Sequence, residues 1–355
     1  MANASYKPAT VTDDRARLSE LVRSLDQARV LCVGDLMLDR FVYGRVSRIS
    51  PEAPIPVLHA SECVSVLGGA GNVVRNILAA GASVDFFAIV GRDGEAEEVR
   101  RLLSDNARVR ATLIVDGGRP TTVKNRFVAS GQQMLRVDYE TDADLNPAIR
   151  AELVQSVVAA MDACDVVLLS DYGKGVLAGR VAQTIIEAAN KAGKPVLVDP
   201  KGTDYGRYRG ARLVTPNLRE LREASGMPAI DDAGITAAAR HLMATFALHG
   251  VLATRSEQGM SLVVGDAAPV HLAAEAREVY DVSGAGDTVI AMIATALAIG
   301  AAASDAARLA NIAAGIVVGK VGTAIVRPSE IQDVLAREDR SRLESKLVSL
   351  PEAVE

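Results

Sequence analysis

From residue 146 onwards the sequence alternates between Ala-rich segments of helical spacing and short, wholly apolar runs, and this alternation restricts the fold more than any other feature. The order is a helix at 147–162, a strand DVVLLSDYG, a helix at 177–192, strands PVLVDP and RLVTPN, helices at 217–226 and 232–249, a strand GVLATRS, and a hairpin of MSLVVG with PVHLAA. Apolar helices follow at 289–300 and 303–320, and a last helix at 328–338. Strands that are apolar throughout are buried on both faces, and alternation at this period builds a parallel sheet covered by helices. The same pattern begins earlier, in a helix from Asp14 to Ala28, the run Arg29–Leu36 (RVLCVGDL), the helix VVRNILAAG and the run VDFFAIVG. The predicted class is α/β, a doubly wound, mostly parallel sheet with helices on both faces.

Two stretches break the pattern. Between Asp39 and Cys63, short alternating strands (Phe41–Tyr43 and Val57–His59) flank SRISPEAPIP, whose three prolines exclude a helix interior. Residues 111–138 supply ATLIVD, TTVKNRFVA and MLRVDYE, with Ser130-Gly131-Gln132-Gln133 as a hairpin turn. Joined, 39–63 and 111–138 predict a small β-sheet lid on one domain spanning 14–338, with 1–13 and 339–355 as flexible tails.

Nearly half of the 355 residues are hydrophobic, enough for a sizeable core, and the formal net charge of -5 argues against nucleic-acid or anionic-membrane partners. The first ten residues, MANASYKPAT, have no charged n-region or apolar h-region, and no charge-free apolar run reaches membrane-spanning length, so the expected location is cytoplasmic. Cys32, Cys63 and Cys164 are far apart and odd in number, which predicts reduced core thiols and no disulfide or zinc site.

Polar groups interrupt the apolar runs mainly where strands end: Asp35, Asp171, Asp199, Lys201, Asn217, Thr254 and Ser256. In an open α/β sheet those ends share one crevice. The stretch DVSGAGDT (281–288), just before an apolar helix, combines Gly284 and Gly286 with a carboxylate, Asp287. Unpaired amides at a helix N-terminus hold anions, and a carboxylate among them can take a proton from a hydroxyl while the amides stabilise a phosphoryl group. A plain helix cap and tight turn would also account for the stretch taken alone. Gly68-Gly69-Ala70-Gly71-Asn72, before another helix, implies close approach of either a ligand or neighbouring backbone. Asp35 is placed either for sugar hydroxyls or as a cap after its strand.

These motifs carry a resemblance to the ribokinase-like family of sugar kinases from about residue 28 to 338: GGAGN at 68–72 with the later VGRDG, and DVSGAGDT about two hundred residues on. Within that family, MLDRFVYGRVSRISPEAPIPV (37–57), TTVKNRFVASGQQMLRVD (121–138) and SDYGKGVL (170–177) resemble the branch that phosphorylates a heptose 7-phosphate at its anomeric hydroxyl. That branch also has a bifunctional form with a nucleotidyltransferase domain. No HxGH-like motif occurs here, so the expectation is the stand-alone form.

The resemblance implies ATP as phosphoryl donor, Mg2+ with it, a monovalent cation (K+) left open, and a homodimer through the lid. It implies Asp287 as base and the amides of Gly284, Ala285, Gly286 and Asp287 as anion hole. Asn217 and Glu220 match an Asn-x-x-Glu motif in which Glu220 places the metal through water. Thr254, Ser256 and Gly259 fall where the nucleotide is held, and Asn311 is either on the adenine side or a plain buried hydrogen bond. Asp35, Gly68, Gly69 and Asn72 match sugar-binding positions, with Lys124, Arg136, Asp138 and Asp171 as lid or floor candidates. A phosphorylated sugar needs a cationic clamp, for which Lys124, Arg126 and Arg48 are candidates, ordinary exposed lid charges being the other reading. A nicotinamide-dependent oxidoreductase is excluded because the first strand ends in GDLMLD where that class needs G-x-G-x-x-G. Another sugar kinase of the family is the main alternative, ahead of a non-catalytic sensor.

Overall fold

A computed structural model describes residues 11–141, 143–275 and 279–337. Most of both expected tails lies outside these residues. Helix α1 (Val11–Ser24) starts three residues before the expected 14, at the end of a helix where the first amides have no intrahelical partner and sequence fixes the boundary least.

Among the described residues, nine strands form one sheet, in the order β13-β12-β11-β10-β9-β8-β1-β4-β5. The strands are β1 (Arg29–Gly34), β4 (Ser83–Val90), β5 (Val109–Val115), β8 (Val166–Ser170), β9 (Val196–Asp199), β10 (Leu213–Val214), β11 (Gly250–Thr254), β12 (Met260–Val264) and β13 (Val270–Leu272). All neighbours are parallel except the antiparallel pairs β11–β12 and β12–β13. The expected hairpin is therefore the sheet's far edge.

Alternation along β1 divides the core. Val30 and Cys32 face α1, α2 (Ala70–Ala79), α3 (Gly94–Ser104), α8 (Ala285–Ala298) and α9 (Ala303–Val318). Leu31 and Val33 face α4 (Pro147–Ala160), α5 (Val181–Lys191), α6 (Leu218–Ser225) and α7 (Asp232–Phe246). Helix α8 is apolar almost all round because it is packed on nearly every side, as its Ala-rich sequence requires.

A second sheet, in the order β3-β2-β6-β7, is built from β2 (Leu36–Ile49), β3 (Pro56–Gly69), β6 (Val123–Ala129) and β7 (Gln132–Tyr139). Two expectations are corrected here. ATLIVD is not part of this sheet: as β5 it pairs in parallel with β4 across Val84 to Val90, at the edge of the large sheet, where Ile114 joins the core. The strands at 39–63 are also longer than the short pieces expected, fourteen residues each, because β2 and β3 continue as one antiparallel ladder past register shifts near Tyr43 and Val46. The predicted turn between β6 and β7 tightens to Ser130 and Gly131, both at positive φ (50° and 77°).

Cys32 and Cys164 are buried, as expected, whereas Cys63 is exposed on β3, in a stretch from His59 to Val64 where every residue is exposed. None of the described helices is long and apolar enough to cross a membrane.

Leu168, fully buried in β8 between neighbours on both sides, tests this layering. Leu168→Ala should cost about 2–5 kcal/mol, read as a lowered midpoint in denaturant titration.

Candidate active site

The chain leaves β1 towards β4 on one side and reaches β8 on the other, so the crevice beyond the carboxyl ends of β1 and β8 is the switch point of the sheet. Asp35 stands there, buried. Its Oδ2 accepts from the backbone N–H of Tyr172 (2.8 Å) and Lys174 (3.0 Å), and its Oδ1 from Val176 (3.0 Å). Burial pushes its carboxyl above the usual range and the charge of Asp171 adds to this, while the three amides act the other way. Asp35 thus secures the loop after β8, since three amides would otherwise be left unpaired beside the core.

Asp287 lies in the first turn of α8, whose N-cap Gly284 has φ 80°. Its carboxylate is buried and doubly held: Asn72 Nδ2 donates to Oδ2 at 2.7 Å, and the Tyr172 hydroxyl donates to Oδ1. Arg75 Nη1 donates to Asn72 Oδ1 (3.0 Å) and to the Thr323 carbonyl (3.3 Å), so the Asn72 amide can only turn its NH2 to the carboxylate. Asn72, expected on the sugar, is committed to Asp287. Burial pushes the Asp287 carboxyl up to about 6, against the hydrogen bonds from Tyr172 and Asn72; Asp39 adds to the rise and Arg75 opposes it.

A side chain at 284 would meet Asn72 Nδ2 at 2.7 Å in a backbone conformation few residues adopt, so the turn needs glycine. At Gly286 the space where a Cβ would stand is open, which leaves the helix terminus uncovered. The Ala285 amide is not part of an anion hole: it donates to Val282 O at 3.2 Å, closing the turn. The amides of Gly284, Gly286 and Asp287 have no partner among the described residues.

Gly286 and Asp287 open on a cavity of about 170 Å³, also lined by Asp171, Tyr172, Asp199, Lys201, Asn217, Glu220 and Thr254. Asp199 lies on its floor, its carboxyl raised well above the usual range by burial and by the charges of Asp287 and Glu220. Asp171 is fixed by Tyr208 (2.7 Å), the Gly173 amide (2.8 Å) and Arg207 (3.2 Å). Asn217 and Glu220 cap α6 reciprocally, at 2.9 and 3.1 Å, and Lys201 pairs with Glu220 at 3.2 Å. A larger apolar groove, about 670 Å³, runs between α4 and α5 and offers no carboxylate.

Other expected residues fall outside this cavity. Ser256 is exposed at φ 52°, Gly259 permits close passage of the Leu272 carbonyl, and Asn311 donates to the Ala273 carbonyl at 2.7 Å. Gly68 and Gly69 let backbone approach the Asp39 carboxylate and the Asp35 carbonyl. The lid cations are already neutralised. Lys124 binds Asp138 and Glu140, both at 2.9 Å, Arg126 binds Asp39 at 2.5 Å, and Arg136 binds Asp138 at 2.9 Å. Arg48 is exposed nine residues along β2 from Asp39, about 30 Å at strand rise, and is not brought to this site.

Sequence reading missed Tyr172, Arg75 and Asp39. Asp39 is buried under Arg126 and its charge acts on Asp287. It lies four residues after Asp35, and only the pairing of β2 with β6, which puts Asp39 opposite Lys124 and so within reach of Arg126 two residues on, shows its partner. Tyr172 follows the polar strand end already noted, but a tyrosine there carries no signal until the fold sets it against Asp287.

A helix terminus with open amides, a buried carboxylate and an adjoining polar cavity, at the switch point of this sheet, is the arrangement a phosphotransferase of the ribokinase-like fold requires. The fold matches that of phosphofructokinase-2 from Escherichia coli in complex with potassium, with TM-score 0.71, 21% identity, and 87% of this chain and 99% of that one covered. It also matches Arabidopsis thaliana ribokinase complexed with ribose and ATP, with TM-score 0.66, 20% identity, and 87% and 98% covered. The chain belongs to the pfkB family of carbohydrate kinases, whose sequence model matches residues 27–330. It is 52% identical to the bifunctional protein HldE of Paramagnetospirillum magneticum, over 95% of this chain and 70% of the relative.

The family's chemistry takes ATP and a divalent metal ion. No three His, Cys, Asp or Glu among the described residues are grouped to hold a metal. Glu220 and Asp199 nevertheless offer oxygen donors at the cavity, which fits a hard cation that keeps most of its waters and binds chiefly through phosphate oxygens.

Two outcomes test this geometry. Because the Asp287 carboxyl is raised to about 6, the base form is lost as pH falls through that value, so kcat/KM for the sugar should drop on the acid side with a midpoint near 6. In Gly286→Ala the added methyl tilts towards the helix N-terminus, over the amides. The variant should keep its melting temperature within a few degrees, and steady-state assay should show kcat lowered about 100-fold or more.

Proposed function

We propose that the protein transfers the γ-phosphoryl group of ATP to the anomeric hydroxyl of D-glycero-β-D-manno-heptose 7-phosphate, giving the 1,7-bisphosphate used to build ADP-heptose for lipopolysaccharide core. The observation that carries the chemistry is the Asp287 carboxylate set beneath three unpartnered amides. The substrate assignment rests on the stretches 37–57, 121–138 and 170–177, and is supported by about half identity to HldE proteins along nearly the whole chain.

In this reading Asp287 takes the proton of the attacking hydroxyl. The amides of Gly284, Gly286 and Asp287 stabilise the charge on the group in flight. Thr254 and Asn217 border the nucleotide side of the cavity, while Asp39, Gly68 and the small sheet cover the sugar side. Glu220 and Asp199 would hold Mg2+ through water, and the ion supplies neutralisation of the phosphate charge. The clamp for the 7-phosphate comes from Lys124, Arg126 and Arg136, which exchange a carboxylate partner for the phosphate on binding.

A homodimer through the small sheet is part of the proposal. Tyr43 and Val64 are partly exposed on the sheet face that also carries Phe41, and apolar surface of this kind is commonly covered by a partner. The proposed location is the cytoplasm, where ATP is available.

The test is ADP release with ATP and Mg2+, with and without K+, against heptose 7-phosphate, fructose 6-phosphate, fructose 1-phosphate, ribose and adenosine, with phosphorus NMR of the product. A new anomeric phosphate signal from the heptose is expected, and preference for another acceptor would replace the substrate while keeping the chemistry. Asp287→Asn should bind ATP normally and lose about 10²–10⁴-fold in kcat; retained turnover would remove Asp287 as base.

A further inference from the structure

We propose that Tyr172 is a positioning residue for the catalytic base, a permanent hydroxyl donor that fixes the Asp287 carboxylate in line with the incoming sugar hydroxyl and keeps it ionised in a water-poor site. This inference rests on the kinase chemistry above but not on the identity of the sugar.

Three observations carry it. The Tyr172 hydroxyl donates to Asp287 Oδ1 while Asn72 Nδ2 donates to Oδ2 at 2.7 Å, so each oxygen keeps one lone-pair direction for substrate and the plane of the carboxylate is set. The phenol cannot compete for the proton, because burial first, and the charge of Asp287 next, push its own ionisation far above the usual range. It is always a donor. Its backbone is also fixed without any ligand, because the Tyr172 and Lys174 amides are bonded to the buried Asp35 and Lys174 Nζ pairs with Glu140 at 2.6 Å.

The groups facing Asp287 come from every neighbouring element. Asp39 on β2 disfavours its charge and Arg75 on α2 favours it. Asp199 on β9 and Cys32 on β1 are themselves held towards their neutral forms by burial, with the charge of Asp287 adding to this. Among these, Tyr172 and Asn72 are the two that hydrogen-bond the carboxylate directly and oppose its burial.

The experiment is the pH dependence of kcat/KM for Tyr172→Phe beside wild type, using whichever acceptor the panel identifies, so that failure of the heptose assignment leaves this test intact. The acidic limb should move up by about one pH unit, because loss of the donor favours the neutral carboxyl. The plateau kcat should fall roughly 10-fold through lost orientation, with KM for ATP unchanged. A limb that superimposes on the wild-type one, with or without a lower plateau, would overturn the proposal. Carboxyl 13C titration of aspartate-labelled protein, with the Asp287 signal assigned by its absence in Asp287→Asn, reads the same shift without turnover. Should Tyr172→Phe not fold, Asn72→Ser removes the other donor, and the proposal predicts that its limb also moves up while Tyr172 still holds Oδ1. An unmoved limb there would show that such donors do not set the base.

Discussion

The site depends on taking one carboxylate out of water and giving it back two hydrogen bonds. Asp287 is buried because α8 must be buried, and a bare charge in such a place would be neutralised. Asn72 arrives from α2 and Tyr172 from the loop after β8, so three separate parts of the chain meet on two oxygen atoms. Arg75 and Asp35 stand one step further out, the first fixing which end of the Asn72 amide faces the base, the second fixing the loop that carries Tyr172. The result is a carboxylate whose proton affinity is raised to about 6, which suits the role of base proposed for it.

Much of the fold was legible because the period of the apolar pattern changes between strands and helices, and because every strand of the large sheet except β12 runs the same way. The misreading of ATLIVD shows where that logic fails. A single edge strand, half exposed, has the same alternation as a strand of a small separate sheet, and only its pairing with β4 tells them apart. Cys63 was misjudged because a cysteine is usually a core residue, whereas here it lies in a stretch of β3, His59 to Val64, that is exposed on both faces.

The candidate site was legible in part. Gly284, Gly286 and Asp287 stood out because two glycines and a carboxylate precede an apolar helix, although a plain cap and tight turn would read the same in sequence. Asp35 and Asn72 were rightly singled out as polar groups at strand and helix ends, yet their hydrogen bonds run to the protein's own loop and base. Sequence shows that a polar group must be satisfied, and it does not show by whom. The lid cations illustrate the same point, since Lys124, Arg126 and Arg136 read as free charge until the register of β6 against β2 and β7 sets a carboxylate beside each.

The contact between Gly284 and Asn72 has an evolutionary consequence. Two motifs more than two hundred residues apart share one space of atomic width, with room for a hydrogen at 284 and for an amide at 72. A side chain can be gained at 284 only if the amide at 72 is given up. A recombinant of two family members joined anywhere between them inherits its base from one parent and the group that steadies it from the other, so a crossover within this long interval is safe only when both parents solved that contact in the same way.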